Sequence, residues 1–198
     1  MHTNPAFRAA PDAQSLDFAR ETGFGTLTVA GSDGPLVSHV PFLVSADGAH
    51  VEAHLTRSNP ILRALPSEAL LMVMGPSGYI SPDWYGEDDQ VPTYNYVAVH
   101  LRGEMVTEPE DALLPHLDRL SAKFEAGLAP KPPWKTEKMS DDALQRMLRM
   151  IVPMRMDIHA VEGTWKLNQN KSDAARLGAA SAVGNPALAA LMREPPMR

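Results

Sequence analysis

Glu52-Ala53-His54-Leu55-Thr56-Arg57-Ser58-Asn59-Pro60 reads as the end of a β-strand running straight into a short helix. Val51, Ala53 and Leu55 alternate with Glu52, His54 and Thr56, the two-residue period of a half-buried strand. Asn59 before Pro60 has the form of an N-cap followed by proline at the first helical position, with Ile61, Leu62 and Leu65 in the helix and Pro66 as its stop. Unpaired N–H groups at a helix start favour an anion. Thr56, Arg57 and Ser58 stand just in front of it, and a guanidinium can form two parallel hydrogen bonds to a phosphate. The same residues equally describe a capped surface helix with a solvated arginine.

Working backward, Ala46-Asp47-Gly48 is a turn, Pro35 to Val44 a strand, Gly31-Ser32-Asp33-Gly34 a second turn and Phe24 to Ala30 another strand. Two hairpins in succession imply an antiparallel meander rather than βαβ units. A first helix is expected over residues 12–22, ended by Gly23. Working forward, Ala69 to Met74 is continuously apolar, as in a fully buried strand, and Gly75-Pro76-Ser77-Gly78 is expected to break it. Tyr79 to Tyr85 is an aromatic loop or short helical turn, and Pro92 to Val106 a long strand in which Gly103 marks a bulge. Leu113, Leu117, Leu120 and Phe124 recur at helical spacing within residues 109–127. Pro130-Lys131-Pro132-Pro133 forms a stiff linker. Ser140 and Asp141 cap a further helix carrying Leu144, Met147, Leu148 and Ile151 inward, and Met154 to Leu167 is a last strand. The expected fold is mainly β with flanking helices, an antiparallel barrel. One domain is expected over residues 1–180, followed by a C-terminal helical tail over 181–198 whose flexibility is open and whose last five residues read as loose.

Composition bounds the function. The chain has 198 residues, 44% hydrophobic and 21% charged, an ordinary balance for a globular protein with a sizeable core. No apolar run reaches the roughly 18 residues of a membrane span, and no secretory signal is visible. The absence of cysteine removes disulfides, thiolate catalysis and cysteine metal sites, and makes a cytoplasmic location the default expectation. A net charge of −6 counts against coating nucleic acid through the overall field. No phosphate-binding loop, dinucleotide fingerprint, nucleophile elbow or H-E-x-x-H is present. His50 and His54 fall on one face of a strand, where His39 could join them, but His50 follows a turn and reads as solvated, so no metal is expected.

Four further segments stand out: Ser38-His39-Val40-Pro41, Gly75 to Tyr85, Val91 to Tyr96, and Glu162-Gly163-Thr164-Trp165-Lys166-Leu167-Asn168-Gln169-Asn170-Lys171. The last combines an aromatic ring, two ammonium groups and three amides at a strand end, and amides suit the carbonyls and ring nitrogens of a heterocycle. Taken in order with Ala53–Pro60, these segments resemble the PaiB family of FMN-binding negative transcriptional regulators. Its pattern of T-H-L-P, G-H-L-A-R-x-N-P, G-P-x-x-Y-I-S-P-x-W-Y, V-P-T-W-N-Y-x-A-V-H and K-L-S-Q-N is matched with Ser38, Ala53, Thr56, Tyr94 and Asn168 as departures, over roughly residues 1–178.

The resemblance implies a split β-barrel of the pyridoxamine-phosphate-oxidase type, assembled as a homodimer with FMN at the subunit interface. It implies that Thr56, Arg57, Ser58 and Asn59 hold the FMN phosphate. Lys166, Gln169 and Asn170 would meet phosphate, ribityl chain or ring; His54 and Asn95 would line the site, with Trp84 and Tyr85 shaping it. The implied role is negative transcriptional regulation, in related bacteria of sporulation and degradative-enzyme genes. Direct DNA contact has no support from charge or from a helix-turn-helix pattern. The alternative is an FMN-dependent oxidoreductase or flavin reductase using NAD(P)H, with His54 and His100 as acid–base candidates. A haem protein is a further alternative, with His39, His54, His100 and His159 as candidate axial ligands. An empty binding or dimerisation module is the remaining one.

Overall fold

The alternation read around residue 52 is the alternation of the folded strands. The computed structural model describes residues 2–196. Six strands, β1 (Phe24–Gly31), β2 (Gly34–Val44), β3 (His50–Thr56), β4 (Ser67–Ile80), β5 (Thr93–Thr107) and β6 (Ile151–Lys166), close into a barrel in the order β1-β2-β3-β6-β5-β4. β1 pairs antiparallel with β2 from Phe24↔Pro41 to Gly31↔Gly34 and with β4 from Thr26↔Met72 to Val29↔Ala69. β2 pairs antiparallel with β3 (Phe42↔Ala53), and β3 with β6 (His50↔Asp157 to Thr56↔Ile151). The helices are α1 (Asp12–Thr22), α2 (Leu113–Ala126), α3 (Asp141–Leu148), α4 (Asp173–Ala182) and α5 (Pro186–Arg193). Among the described residues no helix is long and apolar enough to cross a membrane.

The chain divides into two compact units, one of Ala19–Met72 with Leu101–Ala160, the other of Met1–Phe18 with Val73–His100 and Val161–Arg198. In the first, Leu27, Val29, Phe42, Val51, Leu71 and Met156 turn inward at every second position and are almost wholly buried. Gly103 belongs to this unit. A Cβ there would fall on the carbonyl of Asp157, so this glycine marks the close passage of β6. In the second, Ile80, Val97, Trp165, Leu167, Leu188 and Met192 form a continuous buried cluster. Ala175, Ala179 and Ala180 of α4 are buried in the same cluster, their small side chains allowing close packing. The segment set apart by the sequence as a tail contributes Leu188 and Met192 to it. The expectation for the last five residues falls partly on Met197 and Arg198, which lie outside the described residues.

Several boundaries differ from expectation for physical reasons. The glycines of Gly75-Pro76-Ser77-Gly78 do not break β4, which runs on to Ile80. Gly75 is there because a Cβ would meet the Phe18 ring and Val97, and Gly78 because it would meet Leu188 and Val183. Close approach, not turning, is what they serve. The helix expected from Pro60 to Leu65 is a single 3-10 turn, Pro60–Arg63. Ile151, expected on the inner face of a helix, instead begins β6 opposite Thr56, because α3 stops at Leu148.

Candidate functional site

The implied site residues fall in both units, and each set has its own geometry. In the first unit β3 ends at Thr56. Asn59 caps the following 3-10 turn: its Oδ1 accepts from the Ile61 N–H at 3.0 Å, and its Nδ2 donates to Ser38 Oγ at 3.3 Å. That second bond joins two of the motifs. Four residues of 3-10 turn align few peptide dipoles, so the anion attraction expected of a helix start is weak here. The Arg57 guanidinium is committed within the protein. Nε donates to Arg149 O at 2.9 Å, and Nη2 lies 3.1 Å from Glu110 Oε1 and 3.5 Å from Ile151 O. With the Arg57 N–H bonded to Met150 O at 2.8 Å, these contacts tie the exit of β3 to the chain between α3 and β6. Thr56 and Ser58 are exposed.

His54 turns instead toward α2. Its Nδ1 lies 3.1 Å from His116 Nε2, and His116 Nδ1 lies 3.4 Å from Glu52 Oε2, which Arg119 also grips at 2.5 Å. His50 Nε2 approaches the other oxygen of Glu52 at 3.6 Å. One pairing of neutral tautomers satisfies every contact in this chain. If His116 donates from Nδ1 to the carboxylate, its Nε2 must accept from His54 Nδ1–H, which leaves His54 Nε2 an unprotonated base. Burial first, and then the His116 charge, push the His54 imidazole down to about 4. Burial also lowers His116, against the opposing pull of Glu52. Glu52 is pushed up by burial but held below the usual carboxylate range by Arg119 and His116. Glu52, His116 and Arg119 line a cavity of about 160 Å³. Sequence reasoning missed His116, although it stands three residues after Leu113 on the apolar side of an amphipathic helix, where a buried imidazole needs a partner.

In the second unit, β6 ends at Lys166 and the chain turns through Asn168, whose φ of +65° is a conformation asparagine tolerates. Gln169 spends its amide on this turn, accepting from the Leu167 N–H at 2.8 Å and donating to Trp165 O. Lys166, Asn170, Lys171, Thr93, Tyr85 and Asn168 line a pocket of about 210 Å³ that His2, Phe7 and Val91 complete. Lys166 Nζ donates to Thr93 Oγ1 at 2.5 Å and lies 5.8 Å from the centre of the Phe7 ring. Lys171 Nζ donates to Gln90 and lies 5.0 Å from the centre of the Tyr85 ring. Burial lowers the Lys166 ammonium and raises the Tyr85 phenol. Asn95 on β5 is fully buried, and neither amide atom has a hydrogen-bond partner among the described residues. Thus Lys166 and Asn170 share a pocket; Gln169 faces its own backbone, and Asn95 is enclosed. Lys171, Thr93 and the N-terminal residues were not singled out as contacts, though the two lysines flanking an amide run were visible.

The remaining histidines have local partners: His39 lies 3.0 Å from Thr26 Oγ1, His159 3.0 Å from Glu68, and His100 3.9 Å from Glu162. Among the described residues no three His, Asp or Glu side chains are grouped to hold a metal.

Residues 1–160 match the family described as "Putative FMN-binding domain", and the chain belongs to that family. It is 28% identical over 177 residues to "Protease synthase and sporulation protein PAI 2" of Bacillus subtilis, covering 87% of this chain and 84% of that one. Its fold is similar to that of the FAD and haem binding protein of Mycobacterium smegmatis (TM-score 0.58, 17% identity, 89% of this chain and 81% of that one). It is also similar to the flavocytochrome Anf3 of Azotobacter vinelandii (TM-score 0.59, 14% identity, 83% and 72%). At these identities the two structures speak to the fold alone, a split barrel.

The residues present fit FMN as a ligand. Among the described residues, two ammonium groups in one pocket have neutral hydrogen-bond partners, and a buried amide on β5 has unspent donors and acceptors. When bound, FMN supplies redox chemistry at its ring. The pocket of about 210 Å³ is smaller than the roughly 300–1,000 Å³ typical of cofactor sites, so it takes part of such a ligand rather than the whole.

Proposed function

We propose that this protein is an FMN-binding regulator of the PaiB type, active as a homodimer in which each flavin lies at the subunit interface. The observation that carries the reading is the pocket at the end of β6, cationic and too small for a whole flavin, in a chain that matches an FMN-binding family over residues 1–160. A second subunit would supply the remaining wall. Lys166 and Asn170 hold the flavin from one side, with Asn95 and Gln169 at the same strand ends. Thr56, Arg57, Ser58 and Asn59, with His54, are the further contacts that the family resemblance implies at the end of β3, where Arg57 would have to exchange Glu110 for the flavin phosphate. The name of the Bacillus relative supports a role in sporulation and protease synthesis. The net charge of −6 favours an indirect effect on transcription over wrapping DNA. A cytoplasmic location is the corresponding proposal.

An oxidoreductase using NAD(P)H is the second reading, favoured by the His54–His116–Glu52 chain and its unprotonated Nε2. The deciding experiment is an absorbance spectrum of the purified protein followed by FMN titration. Saturable binding with a change in flavin fluorescence is expected, weakened about tenfold in Lys166→Ala. Affinity unchanged by that substitution would remove the site assignment, and absence of any flavin binding would remove the function. NAD(P)H consumption by the flavin-loaded protein would move the reading to the enzyme, and salt-dependent retention on DNA would make the regulation direct.

A further inference from the structure

We propose that the pocket at the end of β6 is an anion site: Lys166 and Lys171, with the Thr93 hydroxyl and the Asn170 amide, receive one phosphoryl or carboxylate group of a small molecule. The argument is one of charge balance. No carboxylate is among the described residues that line the pocket. Lys166 donates to a hydroxyl and Lys171 to an amide oxygen, both neutral, and each ammonium stands near an aromatic ring. Partial burial without a counter-ion is costly for a cation. Desolvation already lowers Lys166, the direction expected when no anion is present to hold its proton. Three arginines elsewhere meet carboxylates, Arg57 at Glu110, Arg119 at Glu52 and Arg176 at Asp173. Lys123, which donates to the Arg20 carbonyl, is the single lysine of α2, whereas the β6 pocket brings two such ammonium groups together. A pocket of about 210 Å³ has room for a phosphoryl group and the atoms attached to it. Each ammonium keeps donors beyond the one it has placed.

The inference stands on this pocket and does not need FMN. The FMN reading enters in naming one source of the anion, the flavin's own phosphate; the other is the anionic group of a separate small molecule. Inorganic phosphate, titrated into the full-length protein without added flavin and followed by 31P line broadening at low ionic strength, is expected to bind saturably. Lys171→Met, which keeps an apolar stem over Tyr85, should weaken that binding about tenfold, and Lys171→Arg should retain it. Circular dichroism and melting temperature confirm that each variant is folded. Lys166→Met is the second test, should the first variant fold poorly. FMN and riboflavin titrations then separate the sources. If Lys171→Met lowers FMN affinity and leaves riboflavin affinity unchanged, the flavin phosphate is the anion. If the FMN-to-riboflavin ratio is unchanged while phosphate binding is lost, a separate anion occupies the pocket. Phosphate binding without any flavin binding would leave the anion site standing while the FMN reading fails. Absent phosphate binding in the parent protein, or parent-like binding in both methionine variants, overturns the proposal.

Discussion

Two strand ends of this barrel read alike in sequence and differ in the fold. At the end of β3, Thr56-Arg57-Ser58-Asn59 offers a guanidinium, hydroxyls and a helix start. At the end of β6, Lys166 to Lys171 offers two ammonium groups and three amides. In the structure Arg57 is satisfied by Glu110 and two backbone carbonyls, and Asn59 by a capping bond and Ser38. Among the described residues Lys166 donates to a hydroxyl and Lys171 to an amide oxygen, both neutral. The number of positive side chains does not identify an anion site; the number left without a counter-ion does. The β3 corner therefore reads first as an architectural tie, and the β6 pocket as a place for a ligand.

The most damaging way to break the comparison is to remove what holds the β6 end in place. Trp165 precedes Lys166, is almost wholly buried, packs edge-on against Phe18 with ring centres 5.5 Å apart, and donates from Nε1 to Ser15 Oγ at 3.2 Å. Trp165→Ala leaves a cavity in the Ile80–Val97–Leu188 cluster and should cost about 3–5 kcal/mol in urea unfolding. Phosphate binding should fall with it, because the turn through Asn168 loses its anchor. A loss under about 1 kcal/mol would show that the pocket does not depend on this cluster.

A smaller effect belongs to the β3 side. His54 has a folded pKa of about 4 against an unfolded value near 6.5, because burial and His116 disfavour its charge. A depressed histidine leaves the unfolded chain binding more protons between those values. Stability is therefore full above about pH 6.5, falls as the pH drops toward about 4, and loses nothing further from this group below that. Glu52, Arg119 and His50 face the pair from β3 and α2, and the depressed Glu52 carboxyl adds a loss in the same direction at lower pH. Allowing for the partial exposure of His54, the loss is on the order of 1–2 kcal/mol. His116→Gln, which keeps a hydrogen-bonding side chain but removes one of the coupled charges, should flatten the profile. Urea midpoints at pH 7.5 and 5 that differ equally in both proteins would sink the account.

Much of this was legible beforehand because it depends on local pattern. The hairpins around Ser32 and Asp47 followed from turn residues between alternating strands, and helix α1 from its cap and terminal Gly23. What escaped depends on neighbours distant in sequence. Gly75 and Gly78 looked like a turn because glycine usually marks one; here each makes room for a side chain contributed by α1, β5 or the C-terminal helical region. The partners of His54 and Arg57 lie 62 and 53 residues away, at His116 and Glu110, and no spacing rule connects them. The site residues were therefore named by type while their commitments stayed hidden. Gln169, whose amide is turned back on its own turn, is the clearest case.

The finest test concerns Arg57 itself. Its partner Glu110 is 83% exposed and Arg57 is 51% exposed, so the pair contributes at most about 1 kcal/mol to folding. Glu110→Gln should thus leave the urea midpoint nearly unchanged. Its effect on FMN separates two roles for the arginine. As a phosphate ligand, Arg57 competes between Glu110 and the flavin, and removing the carboxylate should tighten FMN binding by about two- to fivefold at low salt. The gain should shrink as salt screens the charge. As a tie between β3 and the chain beyond α3, Arg57 keeps its bonds to the Arg149 and Ile151 carbonyls in the variant, and FMN affinity should not move. A tightened, salt-sensitive affinity would return the β3 corner to the flavin site. An unchanged one would leave the β6 pocket as the anion-binding end of the molecule.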